Sequence, residues 1–154
     1  MSAPDPYTLR RIGADDLALM EGLLSCFGEA FEDAETYGAR RPGPDYLRGL
    51  LRSDTFIALV ALEGGQVVGG LAAYELKKFE QERSEVYIYD LAVAQAHRRR
   101  GLAIRLIREL GRIAAERGAW VMFVQADHGD DPAVALYTKL GTREDVLHFD
   151  IPPG

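Results

Sequence analysis

The chain has 154 residues, 47% of them hydrophobic, with 24 acidic against 18 basic side chains and a formal net charge of −6. That length can bury one sizeable core but not two, so one soluble globular domain spanning 1–154 is expected. The acidic excess argues against a general nucleic-acid binder and favours a small cationic partner. Cys26 is the only cysteine, which excludes an intramolecular disulfide and suits a reducing compartment. The start, "MSAPDPYTLRRIG", has no basic run followed by an apolar stretch, and no run of about 18 apolar residues follows. A cytoplasmic protein with neither signal peptide nor membrane span is therefore expected.

In chain order, "YTLRRI" (7–12) alternates as a short strand. "ADDLALMEGLLSCFGEAF" (14–31) carries an apolar stripe at Leu17, Met20, Leu24 and Phe27 or Phe31, which predicts a helix capped by Asp15 or Asp16. "PDYLRGLLR" (44–52) reads as a shorter helix, and "TFIALVAL" and "QVVGGLAAYEL", separated by "EGG", read as an antiparallel hairpin. "SEVYIYDLAV" (84–93) is a further alternating strand. From Leu102 the period becomes helical, with Leu102, Leu106, Ile107, Leu110, Ile113 and Ala114 on one face and Gly118 as the stop. "AWVMFVQAD" (119–127) has the continuous apolar character of a buried parallel strand. "DDPAVALYTKLG" then predicts a helix with Asp131 as N-cap, Pro132 at the first helical position and Gly141 as the stop. "TREDVLHFDI" closes the chain as a last strand.

Between the strand ending at Val93 and the helix starting at Leu102 lies "HRRRGLA" (97–103). Free backbone N–H groups at a helix start, the helix dipole and a glycine without Cβ together make an anion cradle, and Arg98, Arg99 and Arg100 add guanidinium groups suited to phosphate. Neither GxxxxGK[ST] nor GxGxxG occurs, so the nucleotide-loop readings fail and a pyrophosphate held by a different loop remains. A solvated basic turn is the alternative. No aromatic residues interleave the arginines, against a nucleic-acid role.

Arg98-x-x-Gly101-x-Ala103 resembles the coenzyme A signature of the GNAT N-acetyltransferase superfamily. "DDPAVALYTKLG" resembles its second signature, Asn-x-x-Ala-x-x-Leu-Tyr-x-x-x-Gly, with Asp130 in the place of the asparagine. "LLRSDTFIALVAL", "KFEQERSEVYIYDLAV" and "VQADHGDDPAVALYTKLGTRE" further resemble the GNAT-type aminoglycoside 3-N-acetyltransferases, the gentamicin-resistance enzymes, over about Tyr7 to Ile151. The resemblance implies an α/β (α+β) GNAT fold: one mixed, mostly antiparallel sheet with a central parallel strand pair and flanking helices. It implies acetyl transfer from acetyl-CoA, without a metal, to the 3-amino group of a 2-deoxystreptamine aminoglycoside, and a homodimer, common among relatives.

It also implies roles. Leu91, Ala92 and Val93 pair their backbone with the pantetheine arm. Arg98, Arg99, Arg100, Gly101, Leu102 and Ala103, with Ala133, hold the rest of the coenzyme. Asp90 is the general base, directly or through water, its alternative being a strand-end carboxylate that caps a loop. Tyr137 donates a proton to the departing thiolate, its alternative being a core tyrosine among Val134, Leu136 and Leu140. The backbone N–H of Ala92 or Val93 faces the oxyanion. Glu80, Asp127, Asp130 and Asp150 contact the polycationic acceptor, Glu85 stands near them, and "FEDAETYG" (31–38) belongs to the rim or is solvated surface. Cys26, inside an apolar stripe, is read as structural, so direct attack in a ternary complex is expected over a covalent acyl-enzyme. His97, His128 and His148 lack metal spacing. Two other readings stand beside this one: acetylation of a polyamine or protein amine, and a non-catalytic coenzyme A binding module.

Overall fold

A computed structural model describes residues 3–154. Five strands form one sheet in the order β1-β2-β3-β4-β5: β1 (Tyr7–Arg11), β2 (Phe56–Glu63), β3 (Gln66–Lys77), β4 (Ser84–Val93) and β5 (Ala119–Val124). The first four are antiparallel and β5 runs parallel to β4, the mixed sheet of the expected fold class. Helices α1 (Leu17–Ala30), α2 (Pro44–Arg52), α3 (Leu102–Glu116) and α4 (Asp131–Leu140) flank it. Between α1 and α2 a π-helical turn spans Glu35–Ala39.

Alternation along the strands sends successive side chains to two different cores. On one face Ile57, Leu59, Ala61, Leu71 and Ala73 pack under α3, whose Leu102, Leu106, Ile107, Leu110, Ile113 and Ala114 are all buried, the six positions its periodicity predicts. On the other, Phe56, Ala58 and Val60 pack against Met20, Leu23 and Phe27 of α1 and Leu47 of α2. Each of these fully buried leucines contributes about 2 kcal/mol by removal from water.

The α1 stripe is rotated from its expected setting. Leu23 and Cys26 are buried with Met20 and Phe27, whereas Phe31 is 41% exposed, because the helix ends one residue before it. Asp16 occupies the N-cap position, but its carboxylate accepts from the Gly13 N–H and from Arg10 instead of capping α1. At α4 the capping side chain is Asp130, which accepts from the Ala133 N–H at 3.3 Å, and not the expected Asp131.

The far end of the sheet departs from the expected pattern twice. β5 stops at Val124, short of 127, and is only half-buried, with Trp120 54% exposed. The closing strand expected over 142–151 is not formed: no regular structure follows Gly141, and Val146, Leu147, Phe149 and Ile151 are 70% to 84% exposed. Alternation makes a segment strand-competent, but a strand also needs a hydrogen-bonding partner, and among the described residues this tail has none. β5 is consequently the edge of the sheet.

One polar cluster lies under the β3–β4 pair. Glu75 is 5% exposed, receives the Ser84 hydroxyl at 2.7 Å and is paired with the Arg117 guanidinium at 2.7 Å. Arg117 also donates to the Asp54 carbonyl, which ties the end of α3 to the segment before β2. Burial alone would raise the Glu75 carboxyl, but the Ser84 and Arg117 hydrogen bonds outweigh it and hold the group below its ordinary range.

Candidate active site

The site begins with an irregularity in β4. Its pairing with β3 shifts register so that Ala72 faces Asp90 while Ala73 faces Ile88, leaving Tyr89 as an extra, bulged residue. The bulge changes which face each residue takes. Val86 and Ile88 lie in the core under α3, whereas beyond the bulge Leu91 and Val93 pack on that core and Ala92 enters the one under α1. Without the bulge, with Tyr89 paired as a regular ladder residue, Asp90 would follow Val86 and Ile88 into the apolar α3 side. With it, Asp90 faces α1 and the π-helical turn, where the Tyr37 hydroxyl donates to Asp90 Oδ2 at 2.9 Å.

Asp90 is half-buried, and that burial pushes its carboxyl above the ordinary range, opposed by the Tyr37 hydrogen bond. Tyr37 is itself shifted up, first by burial and then by the carboxylate beside it, so it holds its proton. Around the pair stand more aromatic rings: Tyr74 from β3 lies edge-on to Tyr89 at 5.8 Å, and Tyr87 stacks on Phe123 at 4.6 Å. The result is a carboxylate in a ring-lined, partly dry setting with one neutral donor on it.

Next to it the sheet opens. The β4–β5 ladder ends at Ile88 and Val124, while β4 continues against β3 as far as Val93. On the β5 side, residues 89–93 therefore have no strand partner among the described residues, and main-chain groups there, apart from the Val93 carbonyl engaged by Arg98, are available to an extended ligand. Leu91 and Ala92 are packed into the cores, so main-chain groups are what they can offer.

At the end of this open edge α3 begins. Gly101 is its N-cap, in the left-handed region with φ 75°, and no side chain caps the helix. A Cβ built on Gly101 meets no atom within 4 Å, so the backbone faces open space. The three arginines differ in their attachments. Arg98 Nε donates to the Val93 carbonyl at 3.1 Å, and Arg100 donates to the Tyr7 hydroxyl at 3.0 Å, which in turn bonds His97 Nδ1 at 2.8 Å. Arg99 takes a positive φ of 63°. Arg98 also borders a cleft of about 360 Å³ with Glu29, Ala94, Gln95 and the buried Cys26. Burial raises the Cys26 thiol, the wrong direction for a nucleophile.

The remaining predicted residues are less gathered. Tyr137 packs against the α3 core beside Leu136, and burial followed by the Asp130 charge raises its phenol, so it is protonated at neutral pH. The Ala133 N–H is already taken by the Asp130 cap, which limits what both can give a ligand. Glu80 is ion-paired with Lys78 at 3.2 Å, and Lys78 also reaches Glu85 at 3.4 Å. Asp127 is exposed, and Asp150 lies in the exposed tail, bonded to His148 at 2.9 Å. Tyr37 is the residue the sequence reading passes over, inside a segment read only for its acidity; a tyrosine among short polar residues was its one signal. The described residues hold no metal-ligand group of three.

The chain belongs to the acetyltransferase (GNAT) family, whose model matches residues 18–142. Within that family it is similar to HMB0005, an aminoglycoside acetyltransferase from an uncultured soil metagenomic sample. The two are 63% identical at a TM-score of 0.94, over 96% of this chain and 99% of that one. It is also similar to meta-AAC0020, a soil metagenomic aminoglycoside acetyltransferase solved in complex with sisomicin, at 31% identity and a TM-score of 0.90 over 97% of each chain. Rat (Rattus norvegicus) N-acetyltransferase family 8 member 2 is 30% identical over 90 residues, 58% of this chain and 40% of that protein, so the chain aligns with about two fifths of its length.

Proposed function

We propose that the protein transfers acetyl from acetyl-CoA to the 3-amino group of 2-deoxystreptamine aminoglycosides such as gentamicin, by direct attack in a ternary complex. The observation that carries the chemistry is Asp90, turned by the bulge to the mouth of the β4–β5 opening. The similarity to HMB0005 over nearly the whole chain supports the acceptor class. The unpaired β4 edge and the open space at Gly101 fit the extended arm and pyrophosphate of the coenzyme. In this reading Leu91, Ala92 and Val93 hold the arm through their backbone, and the α3 start with Arg98 to Arg100, Gly101, Leu102 and Ala103 holds the pyrophosphate.

Asp90 takes a proton from the acceptor ammonium. The amine lone pair then forms the N–C bond at the thioester carbonyl, with the Ala92 or Val93 N–H toward the developing oxyanion. The C–S bond breaks with its electron pair on sulfur, and Tyr137 protonates the thiolate. Asp90 gives its proton to solvent and the second nitrogen proton follows, while Tyr137 regains its own from solvent, so each turnover releases one proton. Asp127, Asp130, Glu80 and Asp150 attract the remaining ammonium groups.

The test is thiol release from acetyl-CoA with gentamicin, with spermidine and with no acceptor, followed by NMR of the product. Acetyl on the 3-amino nitrogen of gentamicin is the expected result. Release with spermidine alone overturns the acceptor, and coenzyme binding without turnover overturns the enzyme reading.

Gly101→Ala is expected to raise KM for acetyl-CoA several-fold with kcat little changed. A Cβ would enter the proposed pyrophosphate path, and the left-handed backbone costs about 1 kcal/mol for a non-glycine residue. Initial-rate kinetics at fixed acceptor and a thermal melt check the two parts separately.

A homodimer is part of the same reading. The exposed Val146, Leu147, Phe149 and Ile151 are the kind of surface a second copy covers. Sedimentation velocity is expected to give a dimer, and removal of residues 142–154 a monomer.

A further inference from the structure

We propose that Tyr37 is a positioning residue for the reaction: its hydroxyl holds the Asp90 carboxylate in one orientation, Oδ2 engaged and Oδ1 open to the acceptor ammonium. The inference rests on the reading of Asp90 as the base.

The geometry is built for this contact from a distance of 53 residues along the chain. Tyr37 sits in the π-helical turn Glu35–Ala39, a rare winding that is frequently found at functional sites. Several independent ties hold the turn in place. The Asp33 carboxylate accepts from the Thr36 N–H at 3.1 Å, and the Asp33 carbonyl accepts from the Tyr37 N–H at 3.2 Å. The Arg41 guanidinium donates twice to the Tyr37 carbonyl, from Nε at 3.1 Å and Nη2 at 2.9 Å, and once to Ser25 Oγ on α1 at 2.9 Å. Gly28 lets the turn come close, since a Cβ there would lie 3.2 Å from Tyr37 Cβ. The ring packs edge-on to Phe27 at 5.9 Å and tilted to Phe31 at 5.7 Å. Ring and backbone are therefore fixed by groups other than Asp90, which leaves the hydroxyl free to orient the carboxylate.

The surroundings make that donor the main polar control on Asp90. The titratable groups facing the pair are Tyr74 from β3, Tyr87 and Tyr89 from β4, Asp33 from the segment after α1, and Tyr46 of α2 through Tyr74. None of these is a cation; Arg41 is one, but its guanidinium bonds the Tyr37 carbonyl and Ser25 Oγ and not the carboxylate. Tyr74 and Tyr87 are shifted upward by burial and then by neighbouring charge, so they stay neutral where a carboxylate titrates. Burial raises Asp90 and the Tyr37 hydrogen bond lowers it, so losing the hydroxyl moves the carboxyl further up. A base must be ionised to act, so the acid limb of the rate moves to higher pH.

The experiment compares wild type, Tyr37→Phe, Asp90→Asn and the double variant, using acetyl-CoA and gentamicin from about pH 4, the ordinary carboxylate range, up to about pH 9. Phenylalanine keeps the ring contacts, and circular dichroism with a thermal melt verifies the fold. Tyr37→Phe is expected to shift the acid limb of kcat alkaline by about one unit, the size of one hydrogen bond to a charged group. On the plateau it is expected to lower kcat several-fold with KM for both substrates little changed, and to add nothing in the Asp90→Asn background. An unmoved limb in Tyr37→Phe, with Asp90→Asn inactive, overturns the positioning role and keeps the base. Full activity in Asp90→Asn overturns the base itself. Arg41→Ala, which loosens the turn without touching the hydroxyl, is expected to give a smaller loss of kcat; no loss there removes the tie as part of the device.

Discussion

Asparagine in place of Asp90 is expected to lower kcat for amine acetylation by about 10² to 10⁴-fold, the range for loss of a positioned general base. The amide keeps the size of the carboxylate and still accepts from the Tyr37 hydroxyl, so the 2.9 Å contact and the bulge beneath it persist. What is lost is the capacity to take a proton. An acceptor amine arrives as an ammonium, and it attacks only after giving one up. Burial lifts the Asp90 carboxyl above its usual range, which brings it nearer the amine it is proposed to deprotonate and would make that transfer less uphill. The sign follows: wild-type turnover falls as pH drops through the raised value, and this limb is absent in Asp90→Asn. The KM for acetyl-CoA is expected to change little, since the proposed coenzyme contacts lie at main-chain groups and the α3 start. Steady-state kinetics against pH check all three statements, and full turnover in the variant removes Asp90 as the base.

Methionine in place of Arg117 is expected to cost about 3 kcal/mol of stability, the lower end for breaking a buried ion pair. Glu75, 5% exposed, would keep the Ser84 hydroxyl but lose its counter-charge. Since 1 kcal/mol moves the midpoint by about 2–4 °C in a chain of this size, the melt shifts by about 10 °C. The double variant Glu75→Leu, Arg117→Met is expected to recover most of the loss, because it removes the stranded charge as well. The folded Glu75 carboxyl is held below its ordinary value. The pair's contribution is therefore complete above the ordinary glutamate range and disappears as pH falls through the lower folded value. Calorimetry at neutral pH and near pH 3 separates the cases: the wild-type to Arg117→Met gap narrows in acid, and a gap independent of pH overturns the electrostatic account.

Structure is legible in the sequence where a local pattern and the tertiary environment agree. The six apolar positions of α3 are legible from their spacing, and all six are buried because one face of a long amphipathic helix has one way to leave water. The α2 helix and the β2–β3 hairpin fall where composition puts them. The failures share a different cause. "SEVYIYDLAV" reads as one uninterrupted alternation, and nothing in it marks Tyr89 as extra, since the bulge is a property of pairing with β3. Tyr37 meets Asp90 across a long stretch of chain from a turn with no periodicity. Asp130 and Asp131 are adjacent acceptors, and backbone geometry chooses between them. In the tail, "VLHFDI" has strand chemistry without a neighbour to pair with.

The bulge in β4 divides one strand into two reading frames. Upstream of Tyr89, even-numbered positions belong to the apolar interior under α3; downstream, Asp90 and Ala92 share the opposite side. Substitutions that remodel the acceptor side beyond the bulge can accumulate without disturbing the packing that stabilises the sheet before it. Drawing Tyr89 into regular pairing would do the reverse, carrying Asp90 into hydrocarbon and Leu91 out of it in one step. The insertion thus separates what the protein needs to stay folded from what it needs to choose its chemistry.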